Sequence, residues 1–207
     1  GSFVEVGVGD GRENNTLMLA AMGWKGVWVG GEPLAFELSG QAKLKFLNTW
    51  VNRENLMDII HSALSFLSTS QVDLLSLDLD GNDFYLIERL FESGFLPKIC
   101  IVEYNAKFPP PMQFCIEYDP LHTWAGDDYF GASLISFCML FERFGYSLVC
   151  CNSHSGANAF FVQNDYMDAF GDVPTRIEDI YVEPRYFLAN RFGHPVSVKT
   201  IQTLLNQ

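Results

Sequence analysis

The sequence predicts an α/β protein built on a doubly wound, mostly parallel sheet with a C-terminal antiparallel hairpin. Three observations lead there. Apolar strand-like runs alternate five times with helix-like runs, the pattern of repeated β/α units. The first such run, residues 3–8, leads into three alternate glycines, Gly7, Gly9 and Gly11, before a helix-like stretch. The last two runs, residues 146–151 and 159–163, are separated by only seven residues, too few for a helical crossover, so they must pair antiparallel.

The elements follow in order. Residues 3–8 form strand one and residues 16–22 a short helix, with Asn14 or Asn15 available as its N-cap. Residues 26–29 form strand two, which ends at Gly30-Gly31-Glu32-Pro33 ahead of a helix across 34–38. Strand three is expected at 44–51. Asn52 caps a helix over 54–67 whose Leu56, Ile59, Ile60, Ala63 and Leu67 fall on one face. Strand four covers 72–79, an apolar run suited to burial on both sides. A helix over 83–93 is stopped by Gly94, and strand five spans 99–103. Residues 104–131 break the pattern with Pro109-Pro110-Pro111, Phe114, Tyr118 and Pro120. Loops this long commonly form lids or substrate walls. A helix at 132–144 then precedes the hairpin.

The 207 residues suffice for one well-buried domain, and no shift of composition marks a second. The core is expected over about residues 3–165. A C-terminal extension over 166–207 carries Pro174, Pro184 and Pro195 and a last helix near 197–205. The chain opens directly in a strand, so further elements of the native protein are expected upstream of residue 1. Hydrophobic content of 48% against 18% charged places the chain among globular rather than disordered proteins. A net charge of −12 disfavours nucleic acid and anionic membrane surfaces. The densest basic spot is only Lys43 and Lys45. No apolar run is long enough to span a membrane. Five cysteines without C-x-x-C spacing read as free thiols in a reducing compartment, and the expected location is cytoplasmic.

The glycine turn is the first chemical signal. A strand, a tight glycine loop and a helix start let backbone N–H groups approach a bound cofactor. The dinucleotide fingerprint G-x-G-x-x-G fails, because Arg12 stands at the third glycine position. What remains is E-x-G-x-G-x-G. Glu5 lies on the strand, where its carboxylate can meet the ammonium of an amino-acid cofactor. Glu32 closes strand two, where an acid can accept both hydroxyls of a ribose.

Four blocks resemble a family. They are Phe3-Val4-Glu5-Val6-Gly7-Val8-Gly9-Asp10-Gly11 with Asn14-Asn15-Thr16; Asp73 to Asp83 (DLLSLDLDGND); Ile101-Val102-Glu103-Tyr104-Asn105-Ala106; and Gly156-Ala157-Asn158-Ala159-Phe160-Phe161-Val162. Their order and content resemble the FkbM-like S-adenosylmethionine-dependent methyltransferases. The resemblance implies a class I sheet of strand order 3-2-1-4-5-7-6 and methyl transfer, often to a hydroxyl of a sugar or other small molecule. Relatives often carry an acid at the position of Gly30, so either Glu32 takes over the ribose contact or affinity for the cofactor is reduced. The expected cofactor contacts are Glu5, Gly7, Gly9, Gly11, Asn15, Glu32 and Asp78, with backbone groups around Val51 and Asn52 reading the adenine and Trp50 nearby.

For the chemistry, Asp80 is the first choice as base or substrate contact. Glu103 is expected to orient the acceptor, and His154, in the final hairpin turn, is a further candidate base. His122, beside Trp124, is placed at a substrate wall. Asn82 and Asp83 also suit a helix cap. No metal is assigned, and an EF-hand fails because the twelfth position from Asp78 is Arg89 rather than Glu. Two other readings stay open: a non-catalytic binding module on the same fold, and an NAD-dependent oxidoreductase.

Overall fold

The computed structural model describes residues 1–38, 40–185 and 198–205. Seven strands form one sheet: β1 (Ser2–Val6), β2 (Lys25–Gly30), β3 (Leu44–Asn48), β4 (Leu74–Leu77), β5 (Ile99–Glu103), β6 (Tyr146–Cys151) and β7 (Asn158–Gln163). The helices are α1 (Leu17–Ala21), α2 (Leu56–Leu67), α3 (Asp83–Glu92), α4 (Leu134–Arg143), α5 (Ile177–Ile180) and α6 (Val198–Leu205), with a 3₁₀ turn at Asn164–Ala169. The strand order is β3-β2-β1-β4-β5-β7-β6. The pairs linking β1 to β5 are parallel, and β7 runs antiparallel to both β5 and β6. The mixed sheet and its reversed hairpin strand are thus as expected.

The strands bury both faces because their side chains alternate between two apolar layers. Val4, Val6, Val27, Val29, Leu75 and Leu77 join the layer that contains α2, α3 and α4. Phe3, Trp28, Leu74 and Ile101 face the other way, against Leu17, Leu19 and Ala20 of α1 and Ile201 of α6. The larger layer centres on aromatics. The Phe141 ring stacks on Phe161 at 3.9 Å and meets Phe91 edge-on at 5.1 Å. The α4 helix starts at Ser133, whose Oγ accepts from the Ser136 N–H.

Several expectations are corrected. Residues 34–38 form no helix. Five residues after a proline are too few to repay nucleation, and the Ala35 N–H is already donated to the Asp10 carbonyl at 2.8 Å. Phe36 instead buries its ring against Trp28. β1 ends at Val6 because Gly7 turns the chain with φ +99°. Neither Asn14 nor Asn15 caps α1; Thr16 holds the cap position without a side-chain bond to the helix. Asn52 Oδ1 accepts from the Glu54 and Asn55 N–H groups and so caps a turn just ahead of α2. His194, Pro195 and the start of the last helix near Ser197 lie outside the described residues. Among the described residues no helix is long and apolar enough to cross a membrane, and all five cysteines are unpaired.

Phe141 is fully buried between the sheet and α3. Phe141→Ala is expected to cost about 3–5 kcal/mol, measured by urea unfolding. A loss under about 1 kcal/mol would mean that this aromatic layer does not carry the fold.

Candidate functional site

The site is set by the sheet register at the carboxyl ends of the strands. Val6 pairs with Leu77, and Leu77 with Val102. The next residues along, Gly7, Asp78 and Glu103, therefore form a row across β1, β4 and β5. The Asp78 N–H continues the β1 pairing by donating to the Val6 carbonyl at 3.0 Å. Gly7 is required there. A Cβ at Gly7 would lie 1.6 Å from the Asp78 carbonyl oxygen, and its φ of +99° is one that L side chains rarely adopt. On the other side of Glu103 the row is extended by Asn158 of β7.

Above this row lies a cavity of about 580 Å³. Gly7, Val8 and Gly9 form one wall, Gly30, Gly31 and Glu32 a second, and Thr49, Trp50 and Val51 a third. Asp78, Leu79, Asp80 and Glu103 close the floor side. The long irregular stretch covers the rest with His122, Thr123 and Trp124. That stretch is tied down at Tyr118 and Asp119. Asn82 Nδ2 donates to the Asp119 carbonyl at 2.7 Å, and the Arg53 N–H donates to the Tyr118 hydroxyl at 3.1 Å.

Gly30 fits closely against the glycine loop. A Cβ at Gly30 would come 3.1 Å from the Gly9 carbonyl oxygen and 3.2 Å from Val8 Cγ2. A larger side chain would press on the glycine loop, whereas Glu32 is exposed at the cavity edge.

Of the expected cofactor contacts, Gly7, Gly9, Glu32, Val51 and Asp78 line the cavity, and Glu5, Gly11, Asn15 and Asn52 do not. Glu5 is buried in the fold. Its carboxylate accepts from the Asn15 and Thr16 N–H groups and from the Thr16 hydroxyl, fixing the entry to α1. That hydroxyl in turn accepts from Trp28 Nε1 at 2.8 Å. Asn15 Nδ2 donates to Ser76 Oγ at 3.1 Å, and Gly11 packs under Leu34 and Phe36. These residues shape the loop from behind.

Of the candidate chemical groups, Asp80 and Glu103 line the cavity. His154 is exposed in the β6–β7 turn, where its N–H donates to Asn152 Oδ1. The histidine at the cavity is His122, packed over Gly81 with its Nε2 buried and without a hydrogen-bond partner. Asn82 occupies the α3 cap position without a side-chain cap bond. Asp83 accepts from the Leu79 and Gly81 N–H groups at 2.8 and 2.9 Å and holds the acidic turn closed. Glu13 and Thr49 also line the cavity, and no sequence pattern marks either one.

Burial dominates the electrostatics. It pushes the Asp83 carboxyl up to about 6 despite its two N–H donors. Burial, then the charges of Asp83 and Asp80, raises Asp78. Burial, then the Asp78 charge, raises Glu103 well above the usual carboxylate range, and Asp80 is raised chiefly by burial as well. The oxygens of Asp78, Asp80 and Glu103 lie within 4.8 Å of one another, so neighbouring negative charges oppose full ionisation.

No family model matches the chain, and no curated protein does. Among solved structures it is similar to one described as the antibiotic-resistance methyltransferase Kmr, at 13% identity with a TM-score of 0.43. The similarity covers 78% of this chain and 86% of that one. An overlap this loose carries no argument about chemistry.

The raised carboxyls have a stability consequence with a definite sign. The folded chain holds protons that the unfolded chain releases. The resulting stabilisation is full below the ordinary carboxylate range and is lost as pH rises through the folded values. In EDTA-containing buffer, Glu103→Gln should melt close to the wild type near about pH 4 and increasingly above it toward about pH 8. A melting-temperature difference that stays constant with pH would contradict the burial of this carboxyl.

Proposed function

We propose that this protein is an S-adenosylmethionine-dependent methyltransferase acting on a hydroxyl of a small molecule or sugar. One observation carries the reading: the glycine loop, the acid after β2 and the carboxylates after β4 and β5 share a single cavity at the carboxyl edge of the sheet. The strand order with its reversed β7 is the one that the resemblance to class I methyltransferases implies. In this reading Glu32 takes the ribose hydroxyls, Val51 and Trp50 border the adenine, and the methionine part passes over Gly7 and Gly9 toward Asp78.

When bound, the cofactor would supply an activated methyl group to the acceptor oxygen and leave as a neutral thioether. Asp80 and Glu103 would face the acceptor, and the Asp80 carboxylate would take the hydroxyl proton. Asp80 is an exposed residue at the cavity whose carboxyl is raised by partial desolvation, which makes it a better proton acceptor than a fully solvated aspartate.

Calorimetry with S-adenosylhomocysteine is the direct test of the cofactor. Binding is expected in the wild type, weakened by roughly 10- to 100-fold in Glu32→Ala through loss of two hydrogen bonds to a charged acceptor. No binding at millimolar ligand, or binding of NADH instead, would reject the cofactor assignment. Binding without methyl transfer across a broad hydroxyl-acceptor panel would reject the enzymatic half and leave a cofactor-binding module.

A further inference from the structure

Two side chains on the cavity are used neither by the cofactor contacts nor by proton transfer. Both belong to the irregular stretch between β5 and α4. The first is His122, whose Nε2 is buried without a hydrogen-bond partner. Its ring lies against Gly81, directly after Asp80: a Cβ at Gly81 would fall 2.5 Å from His122 Cδ2 and 3.2 Å from Nε2. Gly81 lacks the positive φ that favours glycine, so the obstacle to a side chain there is the imidazole itself. The ring is held through its own turn. The His122 N–H donates to the Asp119 carbonyl at 2.9 Å, and Asn82 grips Asp119 twice, donating to its carbonyl and accepting from its N–H. Buried polar atoms are normally paired, so a nitrogen left open on a cavity wall marks a ligand contact.

The second is Trp124, which lines the cavity two residues on and is 51% exposed. Its one polar atom is already committed, because Nε1 donates to the Asp127 carbonyl at 2.7 Å. Phe130 meets the ring steeply, with centroids 6.0 Å apart. What the indole offers the cavity is therefore anchored, apolar ring surface. The charges around the cavity have one sign. Glu13, Glu32, Asp78, Asp80 and Glu103 line it, and among the described residues no Lys or Arg does. A cleft lined by one sign of charge repels ligands of that sign.

We propose that His122 and Trp124 form the acceptor wall and that the acceptor is an uncharged aromatic alcohol, a flat ring carrying a phenolic hydroxyl. That this ring is a methyl acceptor rests on the methyltransferase reading. The ring packs on Trp124, where offset or edge-on contacts between aromatics are favourable. His122 Nε2–H donates to the hydroxyl oxygen while the hydroxyl donates to Asp80, so the oxygen is located from two sides. The acidic lining turns away acceptors that carry a carboxylate or a phosphate.

The test is calorimetry on the full chain with naphthol as the probe, after S-adenosylhomocysteine has been titrated alone. One naphthol per chain is expected. Naphthoate, the same ring system with a carboxylate, should bind at least about 10-fold more weakly. Trp124→Ala and His122→Ala should each weaken naphthol by roughly 10-fold. Gly81→Ala should weaken it as much as His122→Ala, because the added methyl group displaces the imidazole. His122→Gln, whose amide can still donate, should recover part of the loss. Circular dichroism of each variant separates lost binding from lost folding. The proposal is overturned by absent or non-stoichiometric naphthol binding, by equal affinity for naphthoate, or by tighter binding of methyl glucoside. Unchanged affinity in folded Trp124→Ala, His122→Ala or Gly81→Ala overturns it as well. If S-adenosylhomocysteine binds and naphthol fails, the methyltransferase reading stands without this acceptor class. If naphthol binds with the expected variant pattern and S-adenosylhomocysteine does not bind, that reading fails and the aromatic-alcohol site stands.

Discussion

The contact on which the site depends is that between Gly7 and the Asp78 carbonyl. With no side chain at Gly7, β1 and β4 keep their parallel register to the last residue before the chain turns away. That register aligns Asp78 with Glu103, and the β5–β7 pairing adds Asn158. A bulkier residue at Gly7 would separate the strands where the carboxylates converge. The glycine loop and the acidic row are therefore one construction, although they lie about seventy residues apart in the chain.

Around this construction, residues with no place in the cavity hold the loop. Glu5 is the main example. Its carboxylate collects donors from Asn15 and Thr16, and Thr16 passes the restraint to Trp28 on β2. The far wall comes from the stretch between β5 and α4. That stretch has no regular structure to stiffen it, so it is anchored by Asn82, Arg53 and the Tyr85 hydroxyl, which donates to the Ile116 carbonyl. Trp50 and Trp124 stay half-exposed, as suits side chains bordering an opening rather than filling a core.

Much of the fold was legible because it depends on local pattern. Alternating apolar runs located the strands, and the seven-residue link before β7 dictated its reversal. Gly7, Gly9 and Glu32 were legible as cavity residues because glycine spacing and the end of a strand are local features. Glu5 lies behind the cavity wall, its carboxylate occupied by donors from Asn15 and Thr16 that its place on the strand does not reveal. The segment 34–38 looked helical from its apolar content, but Phe36 and the Ala35 N–H have partners elsewhere. His154 was drawn to the site by hairpin topology, whereas the cavity histidine comes from the irregular stretch, where sequence carries no period. The place of Asn158 beside Glu103 needs the strand register, which no single stretch of sequence contains.

The central claim is that the cavity between the glycine loop and the acidic row holds S-adenosylmethionine with its methyl group directed at Asp80 and Glu103. A crystal structure with S-adenosylhomocysteine tests it most directly. The account predicts the ribose on Glu32, the adenine beside Trp50 and Val51, and the sulfur over Gly7 facing the carboxylates. A ligand bound elsewhere, or lying in the cavity with its sulfur turned away from Asp80 and Glu103, would contradict it.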